Sequence, residues 1–349
     1  MRRVLVFGGT GSLGRKLIDR YFVDEPTSVI GVYSRDESKH WTIKNDLSGG
    51  PLEPQLKRLQ FFVGDVRDIG RVHDAVRQFR PTTVIIAAAL KHVDTCELSP
   101  DESVKTNLLG TQNVINVINA SQHWNYTKPG QVLFVSTDKA CAPVNVYGMC
   151  KAISERLVTS QVVTGNPYVK FLAVRYGNVL ESRGSIIPLF KHQSLHGDFI
   201  TVTDPVMTRY CMTLDNSVDL IQSALQHGTS GETWIPRLPA MRIGDLAEIF
   251  SQKYGKPIKI IGLRPGEKQH EDLINESESV RAEERGDKHY VIGPAFKAGE
   301  GSRWTYSSDD NVMNKNKLIE HLKSLNILDA PLESFKGLSI EEIATNRKE

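Results

Sequence analysis

The sequence predicts an α/β protein, a doubly wound parallel sheet with helices on both faces, joined by a smaller, discontinuous α/β lobe. Three observations carry this. Short apolar, β-branched runs alternate with stretches whose apolar residues recur at helical spacing through the first half of the chain. The first such run ends directly in Gly8-Gly9-Thr10-Gly11-Ser12-Leu13-Gly14. The length, 349 residues, corresponds to about two domains.

Residues 4–7 read as the first strand, and Leu13, Leu17, Ile18 and Phe22 then recur as one face of a helix. Strands are expected at 28–32, 59–63, 83–88, 131–136 and 169–175, with helices at 72–79, 100–120 and 146–163. Right-handed crossovers place the helices on both faces of such a sheet, and strands covered on both sides are apolar throughout rather than alternating. After Tyr176 the rhythm loosens into a Gly- and Pro-punctuated stretch, 177–197, followed by a β-like run at 199–203 and helices near 216–227 and 243–254. The expected division is 1–180 plus about 213–232 for the sheet domain, 181–212 plus 233–330 for the second lobe, and 331–349 as a surface helix or tail.

Composition excludes several classes. With 40% apolar and 24% charged residues the chain sits near the globular average, which removes disordered, collagen-like and disulfide-scaffold readings. A net charge of +2 advertises neither nucleic acid nor an anionic membrane. Cys96, Cys141, Cys150 and Cys211 lie far apart without metal-ligand spacing, so no metal is expected and reduced thiols are. The longest apolar run, 84–90, is well short of the ~20 residues that span a bilayer. Glycines interrupt the apolar stretch near the N-terminus where an export signal would continue. The expectation is a cytoplasmic protein without membrane or nucleic-acid partners.

The glycine-rich turn stands between a strand and a helix, the context that gives such a pattern meaning. Gly8 permits a sharp turn, Gly11 lets backbone N–H groups approach a pyrophosphate, and Gly14 allows close helix packing. The helix N-terminus adds the positive end of its dipole. A dinucleotide is therefore expected against Gly8, Thr10, Gly11, Ser12, Leu13 and Gly14. Ser34 and Arg35 follow the second strand where an acidic residue usually meets a free ribose hydroxyl. A guanidinium there pairs with a 2′-phosphate, so NADP is expected ahead of NAD. Asp65 is expected to accept from the adenine amino group, with Val66 against the ring.

Tyr147-Gly148-Met149-Cys150-Lys151 sets a phenol and an ammonium four residues apart on one helix face. A cation there is expected to lower the phenol pKa, so that the phenol takes a hydroxyl proton while hydride leaves the same carbon. Lys151 is also expected to hold the nicotinamide ribose. The fifth strand delivers Thr137, Asp138 and Lys139 to the carboxyl edge of the sheet, where ligands bind in open α/β folds. Thr137 is expected to hydrogen-bond the reacting hydroxyl, Asp138 to protonate a leaving hydroxyl, and Lys139 to remove a proton once neutral. An Asp138–Lys139 loop ion pair is the bland alternative.

These motifs resemble the extended short-chain dehydrogenase/reductases, whose core is a Rossmann sheet, and among them the inverting UDP-N-acetylglucosamine 4,6-dehydratases of polysaccharide biosynthesis. The resemblance covers about residues 3–325 and rests on further runs: Ala88-Ala89-Leu90-Lys91-His92-Val93, Lys105-Thr106-Asn107, Arg175-Tyr176-Gly177-Asn178, Ser182-Arg183-Gly184-Ser185, Thr203-Asp204-Pro205 through Arg209, and Arg264-Pro265-Gly266-Glu267-Lys268. dTDP-glucose dehydratases look similar but carry Asp-Glu where this chain has Asp138-Lys139. The resemblance implies an NADP-dependent lyase acting on a UDP-sugar, with transient hydride storage, inversion at carbon 5 and a 6-deoxy-4-keto product for surface glycans. It implies Ala88, Ala89 and Asn107 at the cofactor and Lys91 and Asn178 near nicotinamide or sugar. Arg209 and Arg264 are expected on diphosphate oxygens and Glu267 on ribose hydroxyls or an arginine. It also implies a homo-oligomer, dimer or hexamer. A UDP-sugar 4-epimerase or UDP-glucose 4,6-dehydratase is the nearest rival, and a non-enzymatic NADP-binding sensor the rival from another class.

Overall fold

A computed structural model describes residues 1–124, 129–180, 182 and 184–329. Among them no helix is long and apolar enough to cross a membrane. The described chain divides into two compact units, 1–176 with 215–237 and 275–304, and 177–214 with 238–274 and the described residues from 305 on. The expected tail, 331–349, lies outside the described residues, as does Arg183.

The first unit is built on a nine-stranded sheet. Six strands come in the first half of the chain: β1 (Arg3–Phe7), β2 (Val29–Ser34), β3 (Leu59–Val63), β4 (Thr83–Ile86), β5 (Gln131–Val135) and β6 (Lys170–Val174). Their spatial order is β6-β5-β4-β1-β2-β3, all parallel. Thr233–Pro236 continues it parallel beside β6. His289–Ile292 and then Ala282–Arg285 add two antiparallel strands at the edge. This is the Rossmann-type α/β arrangement that the alternation of strand and helix periods demands, with the strand order reversing between β1 and β4. Val4 to Phe7 are all buried, as are Val132 to Phe134 and Phe171 to Val174, because helices cover both faces. Helix α1 (Ser12–Asp24) buries Leu17, Ile18, Tyr21 and Phe22.

Three expectations are corrected. Residues 275–304 run with the sheet unit rather than with the second lobe, because Ala282–Arg285 and His289–Ile292 pair onto it; their charged, exposed outer strand hides them from an apolar-run reading. The helix expected over 100–120 is helical throughout but changes pitch. A π-helical turn, Val104–Leu109, separates Pro100–Ser103 from Gly110–Ala120 and leaves the Asn107 carbonyl to accept from both Thr111 Oγ1 (2.8 Å) and Ser154 Oγ (2.9 Å). The helix expected to reach 163 ends at Thr159, whose hydroxyl bonds back to the Glu155 carbonyl (2.9 Å), and Gln161–Thr164 forms a separate turn.

The second unit has its own core, in which Phe190, Ile200, Val202, Met241, Leu246, Phe250 and Leu318 are buried. Ile200–Val202 pairs parallel with Ile258–Ile260, and Thr208–Tyr210 pairs antiparallel with Ala240–Arg242.

Candidate active site

Where β1 ends, Gly8 adopts φ +84°, and a Cβ on it would lie 2.7 Å from the Ala88 backbone nitrogen. It therefore turns the chain and admits the half-buried Ala88-Ala89 segment after β4 at the same point. The N–H groups of Gly8 and Gly9 both donate to the Tyr33 carbonyl (2.8 and 3.3 Å). A Cβ on Gly14 would come within 2.3 Å of the Gly9 carbonyl oxygen. Gly11 is different: it is exposed, and the one neighbour of a Cβ there is the Gly8 carbonyl at 3.4 Å. It is the N-cap residue of α1 and offers no side-chain cap to the first turn, where Ser12, Leu13 and Gly14 present their N–H groups. Thr10 is buried beside it. An open, uncapped helix start of this kind fits the pyrophosphate of a dinucleotide.

At the end of β2, Ser34 Oγ hydrogen-bonds His40 Nε2 (2.9 Å). The Arg35 guanidinium is half exposed and lies 3.5 Å from Asp65 Oδ2. Asp65 also takes Arg67, through its side chain (2.7 and 2.9 Å) and its N–H (2.9 Å). Burial pushes the Asp65 carboxyl up, but these bonds and the charges of Arg67 and Arg35 outweigh it and leave the pKa below its ordinary value. Arg35 and Asp65 thus form an ion pair, with Arg67 on the same carboxylate.

Two residues expected at the cofactor make contacts within the protein. Val66 is buried in the core and abuts Gly110, where a Cβ would sit 2.6 Å from its Cγ2. Asn107 spends its amide on protein: Oδ1 accepts from the Leu90 N–H (2.7 Å), and Nδ2 donates to the Leu90 carbonyl (2.9 Å) and Ser103 Oγ (3.1 Å). It holds the loop after β4 in place, since a buried amide is stable only when its polar atoms are matched.

Beyond β5, Thr137 opens a short 3-10 turn, Asp138–Ala140. Asp138 is 1% exposed. Its Oδ1 accepts from Thr137 Oγ1 (2.8 Å), the Lys139 N–H (2.9 Å) and Lys139 Nζ (3.1 Å), while its Oδ2 is buried without a hydrogen-bond partner. Helix Val146–Thr159 is capped by Asn145, whose Oδ1 accepts from the Gly148 N–H (2.7 Å), and carries Tyr147 and Lys151 inward. Thr137, Asp138 and Lys139 lie within electrostatic reach of the Tyr147 hydroxyl. Burial is the largest influence on the phenol and pushes it up to about 12, against the opposing pull of the Lys139 charge. Lys151 is buried; Nζ donates to the Val135 carbonyl and lies 3.9 Å from the Phe134 ring centroid. Burial drives its pKa down to about 7, with Glu155 and Cys150 opposing. The phenol is therefore raised rather than lowered, because burial exceeds the pull of the Lys139 charge.

Behind this site lies an ion cluster that the motifs did not single out. Arg175, just past β6 and 2% exposed, contacts both oxygens of Glu155 (3.1 and 2.5 Å) and both of Glu278 (2.7 and 2.8 Å). Cys141 donates from Sγ to Glu278 Oε2 (3.7 Å) and accepts from Asn275 Nδ2 (3.6 Å). Glu155 follows Tyr147 and Lys151 at the same four-residue step, a signal readable on the helix face. Glu278 has no local signal, because its partner is 103 positions away.

The other expected ligand residues are placed as follows. Lys91 is exposed in the first unit. In the second, Asn178 Oδ1 is buried without a hydrogen-bond partner. The Arg209 guanidinium donates to the carbonyls of Thr208 (2.7 Å), Gln269 (3.0 Å) and Lys268 (2.9 Å). These bonds tie Arg209 to the 268–269 segment. Arg264 is exposed, and its N–H donates to Glu267 Oε2 (3.2 Å) across the turn containing Gly266.

The sequence pattern of the polysaccharide biosynthesis protein family matches residues 4–293. Among relatives, an uncharacterized membrane protein of Methanocaldococcus jannaschii is 38% identical over 338 residues, 94% of this chain and 97% of that protein. A UDP-glucose 4-epimerase of Rickettsia prowazekii is 37% identical over 292 residues, 82% of this chain and 81% of the relative. The solved structure of Pen from Bacillus thuringiensis superposes with a TM-score of 0.83 at 35% identity, covering 93% of this chain and 98% of that one. DesIV, a dTDP-glucose 4,6-dehydratase from Streptomyces venezuelae solved with NAD and TYD bound, shares the fold at a TM-score of 0.65 and 21% identity, covering 76% of this chain and 86% of its own.

Proposed function

Because the chain belongs to the polysaccharide biosynthesis protein family, we propose that it is a nucleotide-sugar-modifying enzyme, specifically an NADP-dependent UDP-N-acetylglucosamine 4,6-dehydratase that inverts carbon 5. The observation that carries this reading is the ion pair of buried Asp138 with part-buried Lys139 (3.1 Å) beside Tyr147 and Thr137. Oxidation of a 4-hydroxyl needs a base only at that hydroxyl. Loss of water across carbons 5 and 6 needs an additional acid and base, and Asp138 and Lys139 supply one of each.

Bound NADP supplies the hydride acceptor at the first step and the hydride donor at the last, so turnover consumes no reductant. Gly8, Gly11 and the first turn of α1 hold its pyrophosphate, and Ser34 with Arg35 its 2′-phosphate. Lys151 orients the nicotinamide ribose. Tyr147 receives the proton of the 4-hydroxyl, and the resulting ketone acidifies carbon 5. Once Asp138 is protonated, water leaves in one concerted elimination. Lys139 passes its proton to one oxygen of Asp138, the other oxygen gives its proton to the 6-hydroxyl, and the Lys139 amine takes the proton from carbon 5, so that the C5–H electron pair forms the C5=C6 bond. Asp138 then returns a proton to carbon 5 on the opposite face, restoring the ion pair.

Incubating the protein with UDP-N-acetylglucosamine in heavy water and following the sugar by NMR tests this. A 6-deoxy-4-keto product deuterated at carbon 5, with no net change in NADPH, is expected. Lys139→Ala should abolish exchange at carbon 5 while NADP still binds. A second reading, UDP-sugar 4-epimerase, is favoured by the name of the Rickettsia prowazekii relative. It requires a 4-epimer and no exchange at carbon 5 in the same spectrum.

A further inference from the structure

The acid–base turn is anchored at both ends, and the anchors converge on a residue that takes no part in the chemistry. At its start the Asp138 N–H donates to the carbonyl of Tyr176 (3.0 Å), the residue after Arg175. At its end Cys141 donates from Sγ to Glu278 Oε2 (3.7 Å) and accepts from Asn275 Nδ2 (3.6 Å). Glu278 also takes Arg175 on both carboxylate oxygens (2.7 and 2.8 Å), and Arg175 reaches Glu155 on the helix that carries Tyr147 and Lys151.

We propose that Glu278 is a positioning residue for the elimination: its carboxylate pins the turn bearing Asp138 and Lys139, through Cys141, to the helix bearing Tyr147 and Lys151, through Arg175 and Glu155. The inference rests on the dehydratase reading and deepens it.

The chemistry of the cluster suits this task. Burial pushes the Glu278 carboxyl up, but Arg175 and Arg156 hold it below its ordinary range. It is therefore ionised and accepts only, which matches a thiol and a guanidinium that both donate. The Arg175 fork is planar and rigid, so fixing Glu278 on it also fixes Glu155. A buried ion cluster is a poor source of stability, because its members surrender their hydration. What it supplies here is a set distance.

The backbone beside the pin needs holding. Ala142, the neighbour of Cys141, has φ +45°, a left-handed conformation that a Cβ disfavours. It also precedes Pro143, which favours extended backbone at the residue before it. Such a residue persists where its surroundings over-determine it, and the contacts of Cys141 with Glu278 and Asn275 adjoin it directly. The turn has no slack toward the helix either. A Cβ on Gly148, in the first helical turn, would lie 2.2 Å from the Lys139 carbonyl oxygen.

Two variants cut the pin. Cys141→Ala releases the turn and leaves the Arg175–Glu155 pair in place. Glu278→Gln leaves one acceptor oxygen, for which the weakly donating thiol must compete with the guanidinium. Val72→Ala, buried in the helix Ile69–Phe79, controls for lost stability. In the NADP-loaded protein, amides of 138–145 should exchange hydrogen at least about tenfold faster in both pin variants, and at the wild-type rate in Val72→Ala. In single turnovers with UDP-N-acetylglucosamine in heavy water, deuterium uptake at carbon 5 should fall about 10- to 100-fold in both pin variants, as for a misplaced reacting group. Reduction of bound NADP, followed by absorbance, should stay within about twofold, as should NADP affinity. Adding Ala142→Gly to Cys141→Ala should recover most of the loss, because glycine holds a positive φ without a pin.

An equal fall in both rates, an undiminished rate at carbon 5, no recovery with Ala142→Gly, or the same split in Val72→Ala would overturn the proposal. If the wild type forms no 6-deoxy-4-keto product, the dehydratase reading falls instead. Amide exchange then decides the pin by itself, and an unchanged rate at 138–145 in Cys141→Ala rejects it.

Discussion

The glycine turn after β1 and the acid–base turn after β5 occupy equivalent places, each at the carboxyl end of a parallel strand and each followed by a helix. They are built from opposite materials. The first works through missing side chains: Gly8 and Gly14 stand where a Cβ would strike backbone within 2.7 and 2.3 Å, and Gly11 opens onto space. The second works through side chains taken out of water, with Asp138, Tyr147 and Lys151 all nearly inaccessible. Backbone N–H groups carry no titration and need only the correct turn. Buried charges need partners, because an unmatched charge in the interior is costly; Asp138 finds them in Thr137 and Lys139, and Lys151 in the Val135 carbonyl. The difference teaches that the cofactor site is a local property of the chain and the chemical site a property of the whole first unit.

Four experiments break or sharpen that contrast. The largest effect is expected at the charged turn: Asp138→Asn should reduce turnover by about 10²- to 10⁴-fold, the usual range for a general acid, while NADP affinity measured by calorimetry stays within about twofold. Next, Gly14→Ala should lower stability by about 3 kcal/mol or more in denaturant unfolding, at the upper end of overpacking costs, since the intruding methyl meets rigid backbone. Gly11→Ala should leave stability within about 0.5 kcal/mol but weaken NADP about tenfold by obstructing the open cradle. Equal losses of stability in the two alanine variants would erase the distinction between packing and binding glycines.

The third experiment follows stability against pH. Lys151 loses its proton near 7 in the folded protein and at 10.5 when unfolded. Between those values the unfolded chain binds more protons, so this group makes stability rise with pH. Tyr147 works the other way: its folded value of about 12 exceeds the unfolded 10.0, so between them the folded protein holds more protons and stability declines. Thermal midpoints of Lys151→Met should show a shallower rise from pH 7 toward 10 than the wild type. An unchanged slope would mean that Lys151 keeps its charge. The smallest effect is expected at the adenosine end, where Arg35→Ala should cut the preference for NADP over NAD by about tenfold, a loss appropriate to one charge-assisted contact.

Much of this was legible in sequence. The six parallel strands of the first half appear within a residue or two of their expected places, because strands covered on both faces must be apolar runs. The glycine turn could be read position by position. For Asn107 and Val66 residue type marks a polar or apolar requirement without naming the partner that meets it, and the structure supplies Leu90, Ser103 and Gly110. Arg209 is alike, since its sequence position does not announce the three carbonyls that its guanidinium meets. The segment 275–304 was assigned to the wrong unit because an exposed edge strand, Ala282–Arg285, lacks the apolar run that marks a buried one.

The sequence by itself determined the strand–helix alternation, the dinucleotide turn and the clustering of Thr137, Asp138, Lys139, Tyr147 and Lys151 near one sheet edge, since each depends on periodicity or on steric requirements within a few residues. Only the tertiary structure decided the charge relations: that burial outweighs the Lys139 charge at the phenol, and that Arg175 is matched by Glu155 and Glu278. Electrostatic free energy depends on distance and on exclusion of water, and both are set by how the fold brings residues together, 20 positions apart for Glu155 and 103 for Glu278.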